Sequence, residues 1–497
     1  MHRDTLKALY EVHSWVGLFL GLALYVLMFS GSVALFVGEM HPWELGEITT
    51  SEERPLAALE RVVEHVEATA EHANFSIRPA SVYRPWITVE TGDDHGDQAL
   101  SYFDPTTGAP VAVAEEQVVH VLERLHTDML LPSPWGRYLT GLLGVAMLVS
   151  LISGVFMHRK IFREMWAIRL WRSPRLRWAD LHKVIAVWGL PYHVMIAFTG
   201  TYLGLVGFTL LLNAFVAFGG DVDAASKGIA GVRQDAAGDA ASMLPLSDLL
   251  ATTQIHLPGL VPEYLSVQHF GDRGATVMVL GNLPQTLEYF SGVTLSAVTG
   301  ELQDTINWRE ESWPKALYAM MTPLHYASYG GLLLKTIYAL LGLGGSFLVT
   351  SGLRIWQLRV HPPSRDLRLP LFNGVCYGLP LAMAVSFLAA RLLTEPHFAS
   401  YQGRLSLFLL AWLAAIIISF WRRDRHVGAE LCLATGLALI MLPLATELGG
   451  RVSIIDALLD NPTSPLVIGE VTLTTIGLVT SLTACVVLRN SVAKSVV

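Results

Sequence analysis

Two histidines lie in one apolar stretch of the sequence, "ADLHKVIAVWGLPYHVMIAFTG" (residues 179–200). His182 and His193 are eleven residues apart. A continuous α-helix would place both rings on one face, roughly 16 Å apart along its axis. Ionisable side chains are costly inside a membrane and commonly mark a functional site. The alternative is that His182 lies at the wet end of the helix, while His193 forms a hydrogen bond with a neighbouring helix.

Six histidines of the sequence share this setting. The chain has 17 histidines, and six of them lie within or at the ends of its first four long apolar segments. Helical rise sorts these six by predicted depth. One membrane face is predicted to hold His13, His158 and His182, the middle of the membrane His193, and the opposite face His126 and His325.

Ligation of haem iron is the chemistry that these imidazoles favour. Neutral imidazole is an axial ligand of haem, and helical bundles build cofactor sites from side chains on facing helices. Imidazoles at two depths therefore predict two or more b-type haems, each bound by a pair of histidines. Zinc or copper is the competing metal. It is disfavoured because no Cys, Asp or Glu accompanies the histidines in the apolar segments.

The cysteines exclude two other redox sites. Cys376, Cys432 and Cys485 all lie in the predicted spans of the C-terminal part, so no disulfide is predicted for the outer loops. The sequence contains neither CxxC nor CxxCH. A dithiol redox motif and a c-type haem attachment are therefore excluded.

Apolar helices must position the histidines. Of the 497 residues, 52% are hydrophobic and 15% are charged, a composition typical of a membrane protein. The sequence therefore predicts a mainly α membrane protein with eight transmembrane helices in the lipid bilayer. The predicted spans are 14–37, 137–157, 183–212, 332–353, 372–393, 405–421, 428–446 and 466–488.

Lys and Arg residues predict the orientation of these spans. Segment 158–177 has seven basic residues and one acid, and segments 354–368 and 421–425 are also basic. The positive-inside rule places these segments and both termini in the cytoplasm. Segment 38–135 is then outside, and it has eighteen acids, five Arg and no Lys. With a net charge of −8, the chain shows no sign of nucleic-acid binding.

Two outer loops, 38–135 and 213–331, are too long to be simple connectors. Each is predicted to fold as a helix packed on a small antiparallel sheet. The turns "DPTTGAPV" (104–111) and "SAVTGELQD" (296–304) occupy equivalent positions in the two loops. The predicted helices are 55–73 and 245–257, and the predicted strands lie within 80–91, 98–114, 263–270, 275–281 and 286–304.

The unit of span, outer loop and span occurs twice, over about 8–160 and 177–358. Both copies run in the same direction, which predicts a pseudo-twofold axis along the membrane normal. We therefore divide the chain into repeat one (1–160), repeat two (161–360) and four additional helices (361–497). The matched spacings are eighteen residues from His13 to Gly31 and from His182 to Gly200, and 28 and 27 residues from His126 to Gly154 and from His325 to Gly352.

Residues 1–360 resemble the PepSY-associated transmembrane family. The stretches that carry this resemblance are "VHSWVGLFLGLALYVLMFSG" (12–31), "DPTTG" (104–108), "LISGVFMHRKIF" (151–162) and "WADLHKVIAVWGLPYHVMIAFTG" (178–200). The resemblance implies two outer PepSY modules and a four-helix, haem-bearing core in a bacterial inner membrane. It also implies a reductase in siderophore-iron uptake. By this resemblance the candidate ligands of the haem iron are His13, His126, His158, His182, His193 and His325.

The predicted function is electron transfer through haem b to a ferric siderophore or other ferric chelate on the periplasmic side. The protein would then be an oxidoreductase, although no catalytic residue is singled out. The symmetry pairs His126 with His325 on the outer side. The remaining iron or irons would be shared by His13, His158, His182 and His193.

The electron donor and the last four helices stay open at this point. The sequence has no dinucleotide fingerprint, so a quinol or a partner protein is the expected donor. Polar candidates for such a site are Arg391, Glu395, Glu430 and Glu447, for which interface anchoring is the alternative. Two other functions compete with electron transfer: a non-redox sensor or regulator, and a transporter.

Overall fold

The structure is a computed structural model of the chain. It describes residues 3–46, 56–69, 74–81, 84–92, 98–111, 117–158, 161–169, 171, 173–222, 224–225, 236–283, 287, 291–308, 313–359, 367–424, 426–450 and 452–493. Parts of the predicted helix 55–73, of the predicted strands and of the basic segments lie outside these residues.

The chain divides into two compact units. A helical unit contains Met1–Thr49, Glu115–Gly204 and Leu333–Val497, and a second unit contains Thr50–Ala114 and Leu205–Leu332. Each predicted repeat therefore contributes to both units. We describe each unit by itself.

The helices account for most of the described chain. In the first half they are α1 (Arg3–Phe19), α2 (Gly21–Ala34), α3 (Val37–Leu45), α4 (Leu56–Thr69), α5 (Gln117–Thr127), α6 (Trp135–Met157), α7 (Ile161–Glu164), α8 (Pro174–Trp188), α9 (Leu190–Gly204) and α10 (Val206–Ala217). They continue with α11 (Leu246–His256), α12 (Trp313–Tyr326), α13 (Gly331–Gln357), α14 (Arg368–Cys376), α15 (Gly378–Leu392), α16 (Pro396–Ala399), α17 (Tyr401–Arg422), α18 (Val427–Ile440), α19 (Leu442–Gly449), α20 (Ile454–Asp460) and α21 (Pro465–Ala493).

Eight candidate spans lie at the eight predicted places. Five are single stretches long and apolar enough to cross a membrane: α6, α13, α14 with α15, α17 and α21. Three more result when each bent helix pair is taken as one span. The bends are 67° between α1 and α2, 68° between α8 and α9, and 44° between α18 and α19.

The bend between α8 and α9 corrects one expectation. His182 is in α8 and His193 in α9, so the prediction that both rings lie on one face of a continuous helix is wrong. Pro191 contributes to the break because it has no N–H and would clash with the carbonyl four residues earlier. The first span bends at Leu20, which is equivalent to Gly189 in the repeat, and it has no proline at this bend. The bend is therefore a property of the repeat and not of Pro191 alone.

The second unit contains one eight-stranded antiparallel sheet, where two separate small sheets were predicted. Its order is β4-β3-β2-β1-β5-β6-β7-β8, and the two repeats join where β1 pairs with β5. Ser76 lies opposite Ser266 at this junction. The strands are β1 (Phe75–Arg78), β2 (Ile87–Gly92), β3 (Gln98–Phe103), β4 (Pro110–Val111), β5 (Val261–Gln268), β6 (Thr276–Asn282), β7 (Ser291–Ser296) and β8 (Leu302–Ile306).

A single apolar core explains why the two halves form one sheet. Side chains of α4, α11 and strands from both repeats form one cluster, which includes Ile77, Leu249 and Val293. Glu60 of α4 also accepts hydrogen bonds from the first backbone N–H groups of α11. A residue of repeat one therefore caps a helix of repeat two.

The equivalence of the two turns is confirmed. Gly108 and Gly300 follow the same Thr-Gly pattern and have φ angles of 69° and 74°, in the left-handed region that glycine favours. Asp104 accepts hydrogen bonds from the backbone N–H groups of Thr106 and Thr107. At the matching position, Ser296 Oγ accepts one from the N–H of Thr299.

Candidate functional site

The rings of His13 and His182 face each other in the helical unit. Their centroids are 6.4 Å apart and their planes are inclined by 85°. Each ring is half-buried, and each lies on the first helix of a bent span, α1 and α8. The two residues are equivalent in the repeat, seven residues before the bend in both copies.

Each of these rings is held through Nδ1. His13 Nδ1 donates to the carbonyl of Ser150 over 2.9 Å and lies 3.3 Å from Oγ of Ser153. His182 Nδ1 lies 2.9 Å from Oγ of Ser351, whose hydroxyl donates to the carbonyl of Leu348 over 3.1 Å. Within the described residues, neither Nε2 atom has a hydrogen-bond partner. The hydrogen bonds therefore fix the rings and leave both Nε2 atoms available as ligands.

A glycine opens the opposing helix to each ring. A Cβ atom on Gly154 would lie 3.3 Å from Cε1 of His13, and one on Gly352 would lie 3.5 Å from Cε1 of His182. Gly154 follows by four residues Ser150, whose carbonyl binds His13, and Gly352 follows by four residues Leu348, whose carbonyl binds Ser351. Since a helical Cβ tilts toward the N-terminus, a side chain here would cover that carbonyl.

His126 is bound in the same way on a different helix. Its Nδ1 donates to the carbonyl of Leu27 in α2 over 3.1 Å. Four residues later, a Cβ on Gly31 would lie only 2.6 Å from Cε1 of the ring. His13 and His126 thus each bind a carbonyl four residues before a glycine that lies beside the ring. In the first repeat the glycine belongs to the other span, not to the span of the histidine.

The other three candidates have different surroundings. His193 is fully buried, and its Nε2 donates to the carbonyl of Leu341 over 3.0 Å. Its Nδ1 has no hydrogen-bond partner among the described residues. His158 is exposed at the end of α6, close enough to interact electrostatically with His13 and His182. His325 is half-buried in α12, which belongs to the second unit.

The donor set fits haem better than a bare metal ion. In the described part of the chain, no three His, Cys, Asp or Glu side chains come together as a metal site, whereas a protein zinc site needs three or four ligands. A haem takes only its axial ligands from the protein. His13 and His182 would supply two such ligands, because their rings are neighbours and both Nε2 atoms have no hydrogen-bond partner among the described residues.

A group of charged residues beside His182 was not found from the sequence. Asp180 is almost completely buried, and Arg169 binds it through Nε and Nη2, at 2.8 and 2.7 Å. Lys183 lies 3.3 Å from both Asp180 and Glu164. These ion pairs fasten the segment after α6 onto α8. The sequence signal for this group is the pair Asp180 and Lys183, which are three residues apart on either side of the candidate ligand His182.

The comparisons with known proteins agree with these motifs. The profile of the PepSY-associated TM region matches residues 10–359.

The chain belongs to the PepSY-associated TM region family.

An uncharacterised protein of Pseudomonas aeruginosa, PA4219, is 33% identical to this PepSY-associated TM protein over 310 residues. The alignment covers 59% of this chain and 78% of the relative. The family match includes all six candidate histidines and ends two residues after α13. Helices α14 to α21 are therefore an addition to the matched region in this PepSY-associated TM protein.

Proposed function

We propose that this PepSY-associated TM protein is a b-type haem electron-transfer protein of a bacterial inner membrane. It would reduce a ferric siderophore or another ferric chelate on the periplasmic side. The observation that supports this proposal is the His13–His182 pair. Two repeat-equivalent imidazoles have ring centroids 6.4 Å apart and keep their Nε2 atoms without a protein partner among the described residues.

The residues around the pair suit this task. Haem supplies reversible one-electron chemistry when it is bound. His13 and His182 would hold it through Nε2. Hydrogen bonds from Nδ1 to serine and carbonyl oxygens fix the tautomer and the ring orientation, and they raise the basicity of the ligand. Gly154 and Gly352 lie beside the two rings.

Electron transfer across the membrane needs a second level. The hydrocarbon core is about 30 Å thick, which one haem does not bridge. His126, with the same glycine-and-carbonyl arrangement, is the first candidate for this outer level, and the repeat adds His325. His158 and His193 stay candidates with less support, because one is exposed and the other directs Nε2 to a carbonyl. A quinol or a partner protein would donate the electrons.

Absorbance of the purified protein tests the proposal. We expect a Soret band with split α and β bands after dithionite reduction, and at least two haems per chain by pyridine haemochrome. His126→Ala and His325→Ala should each lower the stoichiometry while one haem remains. Unchanged stoichiometry in both variants would remove them from the outer level. A folded but colourless wild-type protein would instead favour a sensor, a regulator or a transporter.

A further inference from the structure

Three of the four additional spans, α14 with α15, α17 and α21, contact α2, α3 or α5, and α5 carries His126. We infer that the C-terminal helices position His126, with Arg391 as the main positioning residue. The inference rests on the proposed function in so far as His126 is a ligand. The contacts themselves lie within the helical unit. Each of these contacts connects a C-terminal helix to a helix that holds the His126 ring or its hydrogen-bond partner, directly or through α3.

Arg391 of α15 makes the contact with α3. Its side chain is 7% exposed, and Nη2 and Nη1 donate to the carbonyls of Trp43 and Glu44, at 2.7 and 3.3 Å. The guanidinium also lies 4.3 Å above the indole ring of Trp43. These carbonyls are among the last of α3, where a cation is favoured by the helix dipole. Arg391 thereby fixes the end of α3.

Glu470 of α21 holds Arg391 in place. Its Oε1 lies 3.3 Å from Nε of Arg391 and accepts a hydrogen bond from Thr446 of α19 over 2.8 Å. Glu470 is 1% exposed, so both charges of this pair are buried. A buried ion pair is costly unless its geometry is well satisfied. Loss of either partner would leave the other charge buried and unpaired.

Glu44, at the end of α3, connects α3 to the N-terminus of α5. Its two carboxylate oxygens accept hydrogen bonds from the backbone N–H groups of Val118 and Val119, at 2.9 and 2.8 Å. These are donors at the N-terminus of α5 that have no partner within their own helix. The negative charge is also favoured there by the dipole of α5. Since α5 has only eleven residues, its start determines where His126, in its last turn, lies.

Two further contacts tie both sides of the His126 hydrogen bond to the C-terminal helices. Arg124, two residues before His126, donates from Nη1 to Oη of Tyr401 in α17 over 3.1 Å. Tyr25, two residues before Leu27, donates to the carbonyl of Cys376 in α14 over 2.6 Å. The donor helix α5 and the acceptor helix α2 are thus both held by the added spans.

Hydrogen exchange of the full-length protein in detergent tests the inference. Arg391→Lys keeps the charge near Glu470 but loses the planar fork that binds two carbonyls. Glu44→Gln keeps one acceptor at α5 and loses the charge. We expect exchange of the α5 amides, residues 117–127, to become about tenfold faster in each variant, the size of a lost helix cap. Arg422→Ala is the control, because its ion pairs with Asp424 and Glu430 lie away from α3 and α5.

A second measurement separates the inference from the proposed function. In protein that contains haem, both variants should shift the spectrum or the reduction potential of the outer-level haem and leave that of the His13–His182 level unchanged. If the wild-type protein contains no haem, the proposed function fails, and the exchange of α5 still decides the inference. If Arg391→Lys does not fold, Glu44→Gln decides it. Unchanged exchange of α5 relative to Arg422→Ala would overturn the inference.

Discussion

His13 and His182, which occupy equivalent positions in the two repeats, face each other with ring centroids 6.4 Å apart. Equivalent residues of a two-fold arrangement meet only near the axis that relates the copies. The matched hydrogen bonds extend the equivalence to the next layer, because Ser153 and Ser351 each precede the glycine beside the ring. The pair therefore lies where the internal repeat gives both histidines the same surroundings.

The serines should tune the histidine pair. Ser153→Ala and Ser351→Ala each remove a hydroxyl near Nδ1 of one ring. Loss of such an outer partner typically weakens metal binding by about 10–100-fold. We expect each variant to lower haem retention at the inner level and to shift its reduction potential, measured by redox titration. The control is Ser346→Ala, whose hydroxyl donates only to the carbonyl of Gly342 in its own helix. Equal potentials in all four proteins would show that the serines have no such role.

Gly31 should tolerate no side chain. A Cβ at this position would lie 2.6 Å from Cε1 of His126, so Gly31→Ala must displace the ring. Overpacking of this kind costs about 1–3 kcal/mol, and we expect a lower Tm and loss of the outer-level haem signal. Gly17→Ala is the matched control, since nothing lies within 4 Å of a Cβ there. An unchanged Tm and spectrum in Gly31→Ala would contradict the arrangement described for His126.

The histidine–glycine spacings were visible in the sequence, but their meaning was not. The repeat was found from the distance between His13 and Gly31 along one span. In the structure Gly31 lies beside the ring of His126, and Gly154 of the next span lies beside the ring of His13. The spacing of two residues along one helix shows whether they share a face of that helix. The histidine–glycine contacts are instead made between different helices, which the spacing does not show. A usable signal was the hydroxyl residue before each of the four glycines, as in "FSG", "ISG", "FTG" and "TSG".

The two equivalent turns of the sheet should respond differently to pH. Hydrogen bonds from Thr106 and Thr107 lower the pKa of Asp104 to about 2. A carboxyl group with a depressed folded-state pKa stabilises the fold above its unfolded pKa of about 3.9 and loses this contribution as the pH falls toward 2. Asp104→Ala should therefore cost about 1 kcal/mol at pH 7, and the cost should shrink between pH 4 and pH 2.

The matching turn supplies the control for this pH dependence. Ser296 has no charge and accepts one hydrogen bond, from the N–H of Thr299. The cost of Ser296→Ala in thermal unfolding should therefore be independent of pH. A constant cost for Asp104→Ala over the same range would show that its ionised form contributes nothing.

Cysteine labelling should report the orientation of the spans. Ser101 and Ser173 are exposed, one in the outer loop of the first repeat and one in the basic segment between spans. Cys376, Cys432 and Cys485 are first replaced by Ala. In intact spheroplasts, Ser101→Cys should react with an impermeant thiol reagent, and Ser173→Cys should react only after lysis. The reversed pattern would overturn the predicted orientation.

The sequence predicted elements better than the relationships between them. All eight candidate spans and most strands follow from apolar runs and alternation, although β1 (Phe75–Arg78) was missed because it is short and ends before a proline. The joining of two predicted sheets at Ser76 and Ser266 could not be seen, since pairing between distant strands leaves no local pattern. Arg391 was recognised as polar, but its binding to α3 depends on packing that a single sequence does not encode locally.

The haem content of purified wild-type, His13→Ala and His182→Ala protein tests the central claim most directly. We predict a low-spin, bis-imidazole haem b in the wild-type protein. Each single variant should lose or convert the same inner-level species, because axial ligand identity controls spin state and potential. The double variant should then add little further change, while the outer-level species remains. Wild-type spectra and stoichiometry in both single variants would contradict the assignment of His13 and His182 as a ligand pair.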